Sequence, residues 1–272
     1  LEYEGITEII PFVLSTASLE YDIASRMQSM LYQKQRQIMI YVGSSLSLDN
    51  DYSYVLPWLQ SAGFYCTEIT HIDETVSPEV PLIILGNSLM DKVFLNEVES
   101  FVLSGGKVLF SVSRNFTDMY SSWNTKTTEN SEIITLLNYW GFNIEPGLVM
   151  DLSNYRITMQ GSSGNLNDLQ YINYPFWIVS LAQNLNNSLS LTKGWLGLES
   201  YWASPMSLFE DSFGKSRIYS IVNTSPSAWV QLPQSNSEYQ YITDPFYENN
   251  IKPNVSTLGQ YTIVGALVGS VP

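Results

Sequence analysis

Hydrophobic and polar positions change period several times along the chain, and the changes mark its elements. Residues 82–85 (L-I-I-L) and 108–112 (V-L-F-S-V) are short apolar runs, which a strand covered on both faces requires. Between them Phe94, Val98, Phe101 and Val102 recur at helical spacing, with Asp91, Glu97 and Glu99 on the polar side. Gly105 and Gly106 follow as a stop signal, because glycine reaches the positive φ common just past a helix end. Strand, crossover helix and strand make a right-handed βαβ unit.

The rest is read in order. A short strand over residues 8–14 is interrupted by Pro11, which confines it to an edge. Ser18 caps a helix over 19–32, with Leu19, Ile23, Met27, Met30 and Leu31 as its buried stripe. Residues 37–42 (Q-I-M-I-Y-V) form a buried strand, and Gly43-Ser44-Ser45 follows where a doubly wound sheet places a ligand loop. A helix over 51–62 faces inward with Tyr54, Val55, Trp58 and Leu59, ends at Gly63, and leads into a strand over 64–69. Residues 115–130 are polar without period and read as a surface loop. Ser131 caps a helix through Trp140, closed by Gly141, and 142–150 returns to the sheet.

After Asp151 the texture changes to short apolar strands at 176–181, 196–201, 217–222 and 261–268, separated by polar stretches at 161–168 and 232–257. The expected fold is α/β: a mainly parallel sheet flanked by helices, Rossmann- or flavodoxin-like, with a β-rich second half that either extends the sheet or forms a small lobe. The expected divisions are 1–36 (strand and helix), 37–150 (α/β core) and 151–272 (β-rich half).

Composition narrows the function. The 272 residues are 44% hydrophobic, enough to fill a core, and 26 acidic against 12 basic side chains give a net charge of −14. That balance repels phosphate backbones, so nucleic acid is not an expected partner. One cysteine, Cys66, excludes an internal disulfide and a cysteine zinc cluster; in an alternating strand it reads as a small buried apolar residue. The apolar run 261–271 is too short to span a bilayer and is interrupted by Gly265 and Gly269. The chain opens on Leu1 without a methionine or signal peptide and reads as part of something longer.

Catalytic candidates are few. The G-G-K-V-L-F strand ends in Ser111-Val112-Ser113-Arg114, with neither cysteine nor G-x-S-x-G at the elbow. Ser113 with His71, the single histidine, would need a carboxylate behind the imidazole, and nothing in the spacing supplies one. No phosphate loop, calcium loop or H-E-x-x-H is present, so no cofactor or metal is expected. Glu145, Asp151 and Asp244 fall in turns, where solvated carboxylates are ordinary.

Several motifs carry a family resemblance. They are L-E-Y-D-I-A-S-R (19–26), F-V-L-S-G-G-K-V-L-F (101–110), L-L-N-Y-W-G-F-N-I-E-P-G-L-V-M-D (136–151), Y-P-F-W (174–177), Y-W-A-S-P (201–205), N-T-S-P-S-A-W (223–229) and the closing Q-Y-T-I-V-G-A-L-V-G. In this order they resemble the gliding-motility-type auxiliary component of ABC-type transport systems, and the helix-flanked sheet resembles class I glutamine amidotransferases. The resemblance implies an extracytoplasmic, membrane-anchored domain, working beside an ABC permease and its ATPase, with no catalytic residues to carry over. One departure is N-S-L-S-L-T-K-G-W (187–195), which lacks the family's usual histidine.

Two functions follow as expectations. The first is a non-catalytic accessory domain binding a partner subunit or cargo, with energy from the separate ATPase; any membrane contact is implied only through segments outside this chain. The alternative is a hydrolase or lyase on an amidotransferase-like scaffold, acting on glycans that its many aromatics would stack. The candidate interface is Tyr171, Tyr174, Phe176, Trp177, Trp195, Tyr201 and Trp202, with Gly105, Gly106, Pro175, Pro205 and Pro226 as structural turns. For Phe176 and Trp177 the ordinary reading is core packing.

Overall fold

A computed structural model describes residues 1–10, 19–31, 36–43, 46–73, 75–86, 90–119, 123–127, 131–160, 169–209, 217–234, 241–247 and 252–271. The chain divides into two compact units, Leu1–Val112 and Ser113–Pro272. The change of texture after Asp151 falls inside the second.

The first unit opens with the hairpin β1 (Glu2–Tyr3) and β2 (Ile6–Thr7), so residues 8–10 lie outside any strand, and residues 11–14 of the expected edge strand lie outside the described residues. Helix α1 (Leu19–Leu31) follows; Ser18 and Tyr32 are not among the described residues. Met30 is buried, but Met27 and Leu31 are about half exposed, so the inward stripe is narrower than the periodicity predicts.

The parallel sheet is built from β3 (Arg36–Val42), β4 (Phe64–Glu68), β5 (Leu82–Leu85) and β6 (Val108–Ser111), in the order β4-β3-β5-β6. Its central strands β3 and β5 are covered on both faces, whereas the edge strands β4 and β6 each expose one, so the apolar run 108–112 is not covered on both sides as its pattern predicts: Leu109 is exposed, as is Tyr65 of β4. On one side Ile38, Ile40, Val42 and Leu85 pack with Leu48, Val55, Leu56 and Leu59. On the other, the Tyr41 ring stacks on Phe94 of α4 (Lys92–Leu103) at 3.7 Å between centroids. Asp91 caps α4, its carboxylate accepting from Val93 N at 3.0 Å. After α4 the paired glycines differ in role: Gly105 sits at φ 96°, whereas a Cβ on Gly106 would lie 2.3 Å from the Phe101 ring.

The helix expected over 51–62 is two helices, α2 (Leu48–Asp51) and α3 (Val55–Ser61). Pro57 explains the break. In one long helix its ring would strike the carbonyl a turn earlier, whereas a start at Val55 leaves it in the first turn, where its missing N–H costs nothing. The shift of phase turns Tyr54 and Trp58 outward, 70% and 68% exposed, where their rings stack on each other.

The second unit is mostly antiparallel, so a mainly parallel sheet holds only for the first. The expected loop 115–130 contains a hairpin, β7 (Asn115–Asp118) and β8 (Asn124–Thr127). Helix α5 (Glu132–Tyr139) follows Ser131, then β9 (Phe142–Ile144) and β10 (Leu148–Asp151). Next come β11 (Asn154–Gln160), β12 (Leu169–Leu181), β13 (Gly197–Tyr201), β14 (Met206–Leu208), β15 (Arg217–Asn223), β16 (Ala228–Gln231), β17 (Tyr241–Ile242) and β18 (Thr262–Val268). They form sheets β17-β8-β7, β10-β16, β11-β12-β13 and β15-β18-β14-β9. The polar stretch 161–168 lies outside the described residues, and the connection 232–257 contributes the buried Tyr241 of β17. Asp151 is no turn residue. It ends β10 fully buried, its carboxylate accepting from Ser153 N, Ser225 N and Ser225 Oγ at 2.9, 2.6 and 2.5 Å. Those bonds fix the turn in which Pro226 follows Ser225 and Ala228 N returns to Ser225 O. Among the described residues no helix is long and apolar enough to cross a membrane.

Candidate functional site

Strand β12 runs down the middle of a three-stranded sheet and shows opposite chemistry on its two faces. Past Pro175, Phe176, Ile178 and Ser180 are buried, alternating as period two requires, while Trp177, Val179 and Leu181 lie on the other face; Tyr171, before the bulge, pairs with Thr158 and lies on the face opposite Trp177. Registers Asn154↔Ile178 and Arg156↔Asn173 leave Tyr155 alone opposite four residues of β12, Tyr174 to Trp177. Pro175 sits in this bulge. With no N–H to donate, proline is tolerated inside a sheet at such an irregularity.

The bulge brings three strands' side chains together outside. Tyr155 donates its hydroxyl to Glu199 Oε1, and Tyr201 donates to Glu199 Oε2 at 2.9 Å, so two phenols clasp one carboxylate. On the opposite face of the same strand pair, Arg156 Nε donates to Asn173 Oδ1 at 3.0 Å. Partial burial of its ring, then the hydrogen bond and charge of Glu199, push the Tyr201 phenol up to about 12. The same partner holds the Tyr155 phenol above its ordinary value.

Behind the face an aromatic cluster fixes these residues. Trp177 meets Tyr201 at 5.2 Å and 87°, Trp202 at 5.8 Å and 88°, and Tyr174 at 5.8 Å and 81°. These edge-to-face contacts suit the ring quadrupoles. Trp202 donates Nε1–H to the Tyr174 hydroxyl at 3.1 Å, and Tyr174 donates to Thr243 O at 2.6 Å. Burial raises the Tyr174 phenol far above the normal range. Trp123 and Trp202 hold positive φ, 53° and 48°, a conformation costing roughly 1–2 kcal/mol for a bulky residue.

The seven sequence candidates thus separate by position. Tyr174 and Phe176 are core; Trp177 and Trp202 are partly buried in the cluster; Tyr171 and Tyr201 are 71% and 50% exposed. Trp195 lies apart, on the loop into β13. Sequence reading missed Trp123, which falls in a polar stretch without period, and Tyr155 and Glu199, whose alternation in N-Y-R-I-T-M-Q and G-L-E-S-Y was the available signal.

The other candidates fall elsewhere. Ser113 donates to Asn115 O at 2.8 Å and accepts from Asn115 N, closing its own turn. His71 Nδ1 lies 3.4 Å from Glu97 Oε1, on the exposed side of the first unit. Cys66 is partly buried, and that burial raises its thiol. In the parallel sheet, a Cβ on Gly86 at the end of β5 would lie 2.4 Å from Leu46 and 2.7 Å from the Tyr52 hydroxyl, so side chains occupy that strand end. Ser44 and Ser45 of the expected ligand loop lie outside the described residues. Glu145 and Asp244 are turn residues: Asp244 accepts from Phe246 N at 2.8 Å, and Glu145 accepts from Ser207. Among the described residues no three acidic, cysteine or histidine side chains are grouped to hold a metal. A polar cleft of about 370 Å³ is lined by Asn184, Asn186, Tyr219, Asn223 and Gln260, without a carboxylate.

The family described as "ABC-type uncharacterized transport system", the auxiliary ABC transport family, matches residues 35–272, which includes every strand of both larger sheets. The chain belongs to that family. An uncharacterized protein of Borreliella burgdorferi is 20% identical over 271 residues, 97% of this chain and 52% of its own length. The chain therefore spans about half of this relative. No solved structure matches it. For this auxiliary ABC domain, the Y-P-F-W, Y-W-A-S-P and N-T-S-P-S-A-W motifs now have positions: the bulge of β12, the end of β13, and the turn clamped by Asp151.

Proposed function

We propose that this auxiliary ABC domain is a non-catalytic accessory module that works outside the cytoplasm, binding a partner subunit of the transporter, or its cargo, through the outer face of β11, β12 and β13. The observation that carries this reading is the exposed, rigidly backed pair of Tyr155 and Tyr201 clasping Glu199. Exposed aromatics held by a packed layer lose little entropy on binding, which is the character of interface anchors. The parallel sheet, with its central strands packed on both faces, supports an amidotransferase-like origin and a place in a gliding-motility-type system. The Ser113 hydroxyl closing its own turn and the uncharged lining of the polar cleft favour binding over turnover.

The test is co-purification of the full-length protein in mild detergent. A permease and an ATPase are expected to accompany it, and Tyr155→Ala with Tyr201→Ala should reduce their recovery about tenfold or more. Recovery of neither subunit with the unaltered protein would overturn the reading.

A further inference from the structure

The loop between β12 and β13 combines a fixed backbone with outward apolar side chains. Leu185 is buried and bridges to Val222. Asn186 N donates to Ile221 O at 2.9 Å, and Asn186 Nδ2 to Ser220 O at 3.0 Å. Thr192, fully buried, donates Oγ1–H to Asn186 O at 2.5 Å, and Trp195 N returns to Thr192 O at 3.0 Å. From this anchored frame Leu196 is 85% exposed, Leu191 57% and Trp195 39%, with Leu181 at 48% where the loop leaves the sheet. A loop hydrogen-bonded this closely has no need of apolar residues at its tip, and grouped exposed hydrophobics mark contact with something apolar.

Charge identifies the occupant. The chain carries one acid per about ten residues (272/26), yet residues 169–198 contain none, and their single charged side chain is Lys193 in the loop itself. In a chain of net charge −14, this tip brings no carboxylate of its own to a lipid surface, the nearest acid along the chain being Glu199. Tryptophan favours the level of lipid headgroups, with leucine reaching the acyl boundary and a lysine free to snorkel back to water. We propose that residues 191–196 form a membrane-docking tip, with Trp195, Leu196 and Leu191 entering the interfacial layer of a bilayer. Such docking would hold whether or not a transporter subunit binds the neighbouring sheet face.

The test uses the 272-residue chain and vesicles of phosphatidylcholine, with and without phosphatidylglycerol. Flotation should carry the chain with phosphatidylcholine vesicles, and the anionic lipid should not strengthen binding, given the net charge. Leu196→Ser should weaken binding about tenfold, whereas Leu232→Ser, at an exposed leucine after β16, should not change it. Brominated phosphatidylcholine should quench tryptophan fluorescence, and Trp195→Phe should keep the binding while removing most of that quenching. The proposal is overturned if the unaltered chain binds neither vesicle, if Leu232→Ser weakens binding as much as Leu196→Ser, or if quenching survives in Trp195→Phe. Self-association in solution that Leu196→Ser abolishes would overturn it too, by assigning the tip to a second copy.

Discussion

Asp151 occupies a position where one carboxylate ties two distant segments. It closes β10, yet its oxygens accept from both the backbone and the hydroxyl of Ser225, 74 residues on. A buried carboxylate is costly unless its lone pairs are filled, and here three donors fill them. Asp151→Asn keeps the shape but turns one acceptor into a donor that must face an N–H or a hydroxyl. The expected loss is about 2–3 kcal/mol in the unfolding of the second unit, read from the shift of its urea midpoint. Ser225→Ala should cost less, since the Ser225 N–H survives, and the double variant should fall short of the sum because both act on the same bonds. Additive losses would mean that Asp151 stabilises through some other contact.

At the scale of elements, what was legible followed apolar periodicity, and what was missed followed other forces. The strands at 37–42 and 82–85 were visible because both of their faces are buried and their apolar runs are unbroken, and the flanking strands at 64–69 and 108–112 stood out although each exposes one face, at Tyr65 and Leu109. The β7/β8 hairpin was invisible because its interior is polar: Thr125, fully buried, bonds Thr117 at 2.7 Å and Thr243 at 3.0 Å, so hydroxyls take the place of methyls. Half of the candidate site was legible as aromatic motifs, but Tyr155 and Glu199 meet across strands through a bulge that no local pattern marks. The paired glycines after α4 give a prediction at this scale, because they look equivalent in sequence and are not. Gly105→Ala meets no atom within 4 Å and suffers only its positive φ, about 1 kcal/mol. Gly106→Ala drives a methyl into the buried ring of Phe101 and should cost about 1–3 kcal/mol. Thermal melts of the two variants should show the second less stable, and Gly106→Ala combined with Phe101→Leu should recover part of the loss. Equal melting points, or no recovery, would show that the ring moves aside freely.

For the whole molecule the dominant long-range term is charge. Twelve basic side chains cannot compensate 26 acidic ones, so folding gathers a surplus of 14 negative charges into a smaller volume than the unfolded chain occupies. Ion pairs between exposed groups relieve this little, since each contributes less than about 1 kcal/mol; the part-buried pair of Arg26 with Glu8 at 3.1 Å offsets a single negative charge of the surplus. Added salt acts on both terms in opposite directions. It weakens the attraction within such pairs and the repulsion across the molecule, but the pairs are few angstroms apart while the surplus acts over many. Raising sodium chloride from about 10 mM to about 150 mM shortens the screening length from roughly 30 Å to roughly 8 Å, which removes the long-range repulsion and leaves close contacts largely intact. The melting temperature at pH 7 should therefore rise by a few degrees over that range, consistent with about 1–2 kcal/mol of relief in a domain of this size. Potassium and choline chlorides should act alike, because screening depends on ionic strength and not on the cation. A melting temperature that fell with salt would mean that attractive pairs outweigh the surplus, and a rise with sodium alone would point to a specific cation contact.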